Sequence, residues 1–126
     1  MRSLLMLVED DDDIRETFAD VLRECGYEVS EAQNGRHALE LLGSGPRPAL
    51  ILLDAMMPVM DGRSFREAQL KNAAIASIPV VLMSAGNNAH ELVADLSFQA
   101  ILRKPLGLDA LLAAIRAALA SVLEPA

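Results

Sequence analysis

Glu9 and Asp10 follow directly on the apolar run Leu4-Leu5-Met6-Leu7-Val8, and Asp54 follows a second apolar run, Ala49 to Leu53. Ser84 closes a third, beginning at Pro79, and Lys104-Pro105 stands two residues past a fourth, Ala100 to Leu102. Three carboxylates brought together repel one another, a cost a folded protein tolerates when a divalent cation neutralises them. The donors are all hard oxygens, with neither Cys nor His nearby, so magnesium is the natural ion. A lysine and a hydroxyl on the same rim supply what carboxylates cannot, namely donors for an anion bridging to the metal. Together these groups point to phosphate chemistry.

The elements between these groups must bring them together. A chain of 126 residues has room for one domain. Leu4 to Val8 shows no alternation and reads as a strand covered on both faces. Ile14, Phe18, Val21, Leu22 and Cys25 recur at helical spacing, with Asp12 or Asp13 as the cap and Gly26 as the stop. Tyr27 to Ala32 alternates as a half-exposed edge strand does. Asn34-Gly35 then turns the chain into a short helix with Ala38, Leu39, Leu41 and Leu42, which Gly43-Ser44-Gly45-Pro46 breaks. Ala49 to Leu53 is a buried strand, and Phe65, Ala68 and Leu70 mark a third helix. Pro79 to Ser84 is the next strand, Leu92, Val93 and Leu96 a weaker fourth helix, and Ala100 to Leu102 a short fifth strand. Leu108, Leu111, Leu112, Ile115, Leu119 and Val122 close the chain as a fifth, amphipathic helix. Strict alternation of this kind predicts an α/β fold, a parallel sheet with helices on both faces. Ligands of such sheets collect beyond the carboxyl ends of the strands, where all the polar groups above fall.

Val8-Glu9-Asp10-Asp11, Leu53-Asp54-Ala55-Met56-Met57-Pro58-Val59-Met60-Asp61-Gly62, Pro79-Val80-Val81-Leu82-Met83-Ser84-Ala85 and Lys104-Pro105 resemble, in order and spacing, the receiver domain of two-component response regulators. The resemblance covers essentially the whole chain. It implies a flavodoxin-like (βα)5 three-layer sandwich with a five-stranded parallel sheet of order 2-1-3-4-5, residues 1–126 forming a single receiver domain with no output domain in this chain. It further implies a phosphorylation-controlled switch that accepts a phosphoryl group on Asp54 from the phosphohistidine of a sensor histidine kinase or a histidine phosphotransfer protein. By motif position Glu9, Asp10, Asp54 and the backbone carbonyl of Met56 hold Mg2+, Lys104 grips the phosphoryl oxygens, and Ser84 is the switch hydroxyl. The resemblance also implies magnesium-dependent self-phosphorylation from small phosphodonors, autodephosphorylation, a cis Lys104-Pro105 bond, and a downstream protein target on the face of helix four, strand five and helix five.

Departures from the family pattern accompany this. The switch aromatic is Ile101, the stretch from Ser84 to Lys104 is about two residues short, and Phe98-Gln99-Ala100 replaces a Gly-Ala pair. They leave as the alternative a receiver-like interaction module acting without phosphorylation. A phosphatase of the aspartyl-phosphate type wants a second carboxylate where Met56 stands, and no Gly-x-x-x-x-Gly-Lys-Ser/Thr makes a phosphate loop. Eighteen acidic against eleven basic side chains, a net charge of -7, are the wrong sign for nucleic acid. The first apolar run is too short for a signal peptide or membrane span, so the expectation is a cytoplasmic domain away from the membrane. Asp11, Asp12 and Asp13 read as a solvated, dipole-favoured helix start. Met56, Met57 and Met60 read as packing, His37 and His90 as surface, and the single Cys25 as a core residue. The outer face of the last helix, with Ala110, Ala113, Ala114, Ala117 and Ala120, is poor in charge and predicts association with a second copy, as a homodimer, or with a partner helix.

Overall fold

The computed structural model describes residues 2–85, 96–105 and 107–123, excluding the side chains of 122 and 123. Its elements are β1 (Leu4–Val8), α1 (Asp12–Glu24), β2 (Glu28–Ala32), α2 (Gly35–Ser44), β3 (Leu50–Asp54), α3 (Gly62–Leu70), β4 (Val80–Ser84), β5 (Ala100–Arg103) and α4 (Leu108–Leu123). The helix expected around Leu92 and Val93 lies outside the described residues, so α4 is the fifth helix of the sequence reading.

All strands pair in parallel in the order β2-β1-β3-β4-β5, as the resemblance implied. The inner strands β3 and β4 are buried at every residue, whereas the edge strands β2 and β5 are only partly covered. Because side chains alternate along a strand, the sheet divides its apolar residues between two cores. Leu5, Leu7, Leu50, Leu52, Val81 and Met83 face α1 and α4 through Ala19, Leu22, Leu111 and Ile115. Met6, Val8, Ile51, Leu53, Val80 and Leu82 face α2 and α3 through Ala38 and Phe65. Both faces are therefore dry, which is why the strand sequences show apolar runs rather than alternation.

Several local expectations are corrected. The cap of α1 is Asp11, whose carboxylate accepts from the Ile14 amide at 3.0 Å, rather than Asp12 or Asp13. Cys25 is exposed: it is the C-cap, and Gly26 at φ +99° turns the chain away before a further helical position can face the core. Ile14 and Leu70, read as helix-face residues, are exposed as well. The inner face of α3 is instead Phe65, Arg66 and Gln69. The Gln69 amide nitrogen donates to the carbonyls of Ile75 and Ile78 at 2.9 and 3.0 Å, and Arg66 donates to Gln69 Oε1 at 2.7 Å and to the Ser97 carbonyl at 3.0 Å. These polar side chains satisfy backbone groups of the turns packed against α3, so their burial is compensated. No helix among the described residues is long and apolar enough to cross a membrane.

Candidate functional site

The parallel registers decide which side chains meet. Val8 lies opposite Leu53, so Glu9, one step beyond β1, emerges beside Asp54, the last residue of β3. Asp54 lies opposite Met83 and Ser84 opposite Arg103, and the Lys104 amide donates to the Ser84 carbonyl at 2.8 Å. Lys104 thus starts from the far edge strand and reaches back across β4. Its Nζ stands 3.0 Å from Glu9 Oε1 and 3.3 Å from Asp54 Oδ1. The bond from Lys104 to Pro105 is cis.

Glu9 and Asp54 are buried, at 2% and 5% exposure, as is the Ser84 side chain, while Asp10 is open to solvent. One oxygen from each of Glu9, Asp10 and Asp54 falls within 4.8 Å of the others. This all-oxygen set, two members deep in the fold and one at the mouth, fits a small hard divalent cation that keeps part of its water shell. The Lys104 ammonium pairs with two of these three carboxyl groups. Burial pushes the Glu9 carboxyl above its usual range, the Asp54 carboxyl adds to this, and Lys104 opposes it without cancelling it. Burial by itself would lower Lys104, but the hydrogen bond to Glu9 and the charges of Asp54 and Glu9 outweigh it and hold the ammonium above the ordinary lysine range. Lys104 is therefore charged at neutral pH.

The loop from Ala55 to Asp61 is held close to the acid. Met56 donates its amide to Asp54 Oδ1 over a long 3.4 Å, and Gly62 donates to the Ala55 carbonyl at 3.0 Å. A Cβ on Gly62 would sit 2.9 Å from both the Ala55 Cα and the Asp54 carbonyl oxygen, so only glycine lets α3 start this near the strand end. Met60 covers Gly35 and accepts its amide at 3.2 Å, which ties the loop to the start of α2. Met57 and Met60 pack against the α2–α3 core as expected. Met56 does not: its side chain is 66% exposed on the rim, correcting the packing reading. Ile101, opposite Leu82, packs into the α2–α3 core along with Phe98. His37 is half-buried, its Nδ1 accepting from the Gln33 amide at 3.1 Å. His90 lies outside the described residues.

Two features go beyond the sequence expectations. A cleft of about 540 Å³ borders the site between α1 and Lys104-Pro105, lined by Leu7, Ile14, Phe18, Met83 and the stems of Glu9 and Lys104. It explains the exposure of Ile14. The other is Arg15, buried beside the acidic turn, with Nη1 donating to the Glu9 carbonyl at 2.9 Å and Nη2 to Asp12 Oδ1 at 2.7 Å. The signal was present as the one basic residue just after five acidic ones, three positions from Asp12.

The fold and this strand-end group define a signalling receiver. The model of the response regulator receiver domain matches residues 5–116, and the chain belongs to that family, the receiver domains of two-component response regulators. Among curated relatives, the response regulator MprA of Mycolicibacterium vanbaalenii is 38% identical over 117 residues, 91% of this chain and 49% of that protein. The two-component response regulator ORR11 of Oryza sativa subsp. indica is 35% identical over 83 residues, 66% of this chain and 56% of that protein. The chain spans about half the length of the curated relatives it matches. The receiver domain of a signal transduction histidine kinase from Syntrophus aciditrophicus superposes with a TM-score of 0.87 at 27% identity, covering 98% of this chain and 95% of that one. The chemotaxis protein CheY4 of Vibrio cholerae superposes at 0.85 with 25% identity, covering 94% and 99%. Magnesium binding at an acidic pocket is general in the family.

Proposed function

We propose that this domain accepts a phosphoryl group on Asp54 from the phosphohistidine of a sensor histidine kinase or a histidine phosphotransfer protein. The observation that carries the reading is the joint approach of Lys104 to Glu9 and Asp54 beside the solvent-open Asp10. An Asp54 carboxylate oxygen attacks phosphorus in line, the bond from phosphorus to the imidazole nitrogen breaks, and its electron pair leaves with the imidazole. Glu9, Asp10, Asp54 and the carbonyl of Met56 would hold Mg2+, which would supply positive charge against the phosphoryl oxygens. Lys104 exchanges Glu9 for a phosphoryl oxygen, and Ser84 supplies a hydroxyl to the same group. Ile101 stands where the family carries its switch aromatic, so the signal leaves through the packing of β5 rather than through a turning ring. Incubation with acetyl phosphate and magnesium should add one acid-labile phosphoryl group by intact mass, and Asp54→Asn or removal of magnesium should prevent it. An unlabelled wild type, under conditions that label another receiver, overturns the reading in favour of an interaction module that works without phosphorylation.

The downstream target and a homodimer are assigned to the outer surface of β5 and α4. Ala110, Ala113, Ala117 and Ala120 are exposed there, interrupted by Asp109, Arg116 and Ser121, while Ala114 is half-buried. Small side chains permit close approach of a second helix. Replacing Ala113 and Ala117 with Glu should lower self-association in sedimentation without changing the labelling of Asp54. A monomer with and without the phosphoryl group contradicts the dimer.

A further inference from the structure

We infer that Arg15 is a positioning residue for the magnesium ligands, a clamp on the turn that carries Glu9 and Asp10. The inference rests on the magnesium role proposed above for those two residues. Besides its bonds to the Glu9 carbonyl and to Asp12, Arg15 places Nε 3.4 Å from Glu31 Oε1. Glu31 is in turn braced by Arg23, whose Nη2 stands 3.1 Å from its other oxygen and also donates to the Val29 carbonyl at 2.9 Å. The guanidinium therefore links the start of α1, the end of β1 and the edge strand β2.

The effect converges on one peptide. The Glu9 amide donates to the Ala32 carbonyl at 3.1 Å and its carbonyl accepts from Arg15, so both ends of that residue are fixed to neighbours. The Asp10 amide donates to Glu9 Oε2 at 3.0 Å, which carries the same constraint on to the next ligand. A planar fork can hold a carbonyl and two carboxylates at once in a way that a lysine ammonium cannot.

Two consequences of Arg15 oppose each other. As a cation beside the turn that carries Glu9 and Asp10 it makes the site less negative, which by charge alone weakens binding of a divalent ion. As a clamp it holds two ligands in place, which strengthens binding. The Arg15 charge is already paired with Asp12 and Glu31 outside the ligand set, whereas outer-shell partners that orient ligands are worth about 10-fold to 100-fold in metal affinity. Orientation outweighs charge here, and the sign of the mutant effect separates the two.

Magnesium titration of the full chain, followed by the amide resonances of Asp10 and Asp11, tests this alongside thermal melting. Arg15→Met should weaken magnesium affinity about tenfold. Arg15→Lys keeps the charge but loses the fork and should weaken it less. Glu31→Gln, which removes the strut behind the guanidinium, should move affinity in the same direction. Arg15→Met binding as tightly as wild type or tighter overturns the clamp, as does a lowered melting temperature with unchanged affinity. If Arg15→Met does not fold, Arg15→Lys and Glu31→Gln decide by the same criterion. A wild type that binds no magnesium removes the magnesium reading and the clamp together; a wild type that binds, with unaltered variants, removes only the clamp.

Discussion

Lys104→Met is expected to reduce labelling of Asp54 by acetyl phosphate about a hundredfold or more, since a charged group aimed at developing charge contributes roughly 10² to 10³ in rate. The same change should destabilise the magnesium-free protein. Glu9 and Asp54 would be left buried without the ammonium that both pair with, and breaking a buried pair costs about 3 kcal/mol at the low end of its range. The low end applies because the Lys104 side chain keeps 25% of its exposure. Lys104 is held above the ordinary lysine value, so its stabilising contribution is complete below that value and fades only as pH rises through the higher folded one. At neutral pH the whole loss is therefore visible. On acidification Glu9, held above its usual range, takes up a proton and the deficit shrinks. Magnesium should restore the melting temperature, because a divalent ion replaces the missing charge between the carboxylates. It should not restore labelling, because it cannot stand where the ammonium meets the phosphoryl group. Recovery of both by magnesium would reduce Lys104 to a neutralising charge and remove it from the transfer step.

How much of this was readable without coordinates depended on whether the signal was local. The inner strands announced themselves, because a sheet dry on both faces demands unbroken runs such as Leu4 to Val8 and Val80 to Met83. The acidic pair, Asp54 and Lys104 were found from their places at strand ends. Their contact was not, since Lys104 and Glu9 are 95 residues apart and only the strand order puts them 3.0 Å from each other. Periodicity misled where polar groups had work inside. In α3 the inward positions 65, 66 and 69 keep helical spacing, but two are Arg and Gln because the packed turns expose carbonyls that need donors. Ile14 and Cys25 misled for the opposite reason. Both fall in register with the apolar stripe of α1, yet one overhangs a cleft and the other sits where the helix has already ended. Ile101 shows a third kind of limit. Its sequence position marks it as a departure from the family, and only its packing with Leu82 and Phe98 shows that an aliphatic side chain fills that place in the core.

Glu9→Gln should give a protein that melts higher than wild type without magnesium and lower with it. In the metal-free fold the ionised Glu9 is disfavoured: burial and the nearby Asp54 carboxyl outweigh the attraction of Lys104. The amide keeps an oxygen acceptor for the Lys104 ammonium and removes the repulsion. A folded value raised above the ordinary 4.5 means that the native state binds this proton more tightly than the unfolded chain does. Wild-type stability contributed by Glu9 is thus present below 4.5 and lost as pH rises through the folded value. The advantage of the variant should accordingly be absent in acid, grow across that window and persist at neutral pH. Magnesium reverses the order, because binding to the native state alone stabilises in proportion to the logarithm of ligand over dissociation constant. The variant has lost one carboxylate of three and should bind at least tenfold more weakly. Melting curves at pH 4 and 7, each with and without saturating magnesium, contain the whole test. A variant that melts lower than wild type at pH 7 without magnesium would mean that the attraction of Lys104 for the Glu9 carboxylate outweighs its burial and its repulsion from Asp54. The crossing of the two orders is what a binding site looks like when its ligands are held together against their own repulsion: the charge that weakens the empty fold is the charge that attracts the ion.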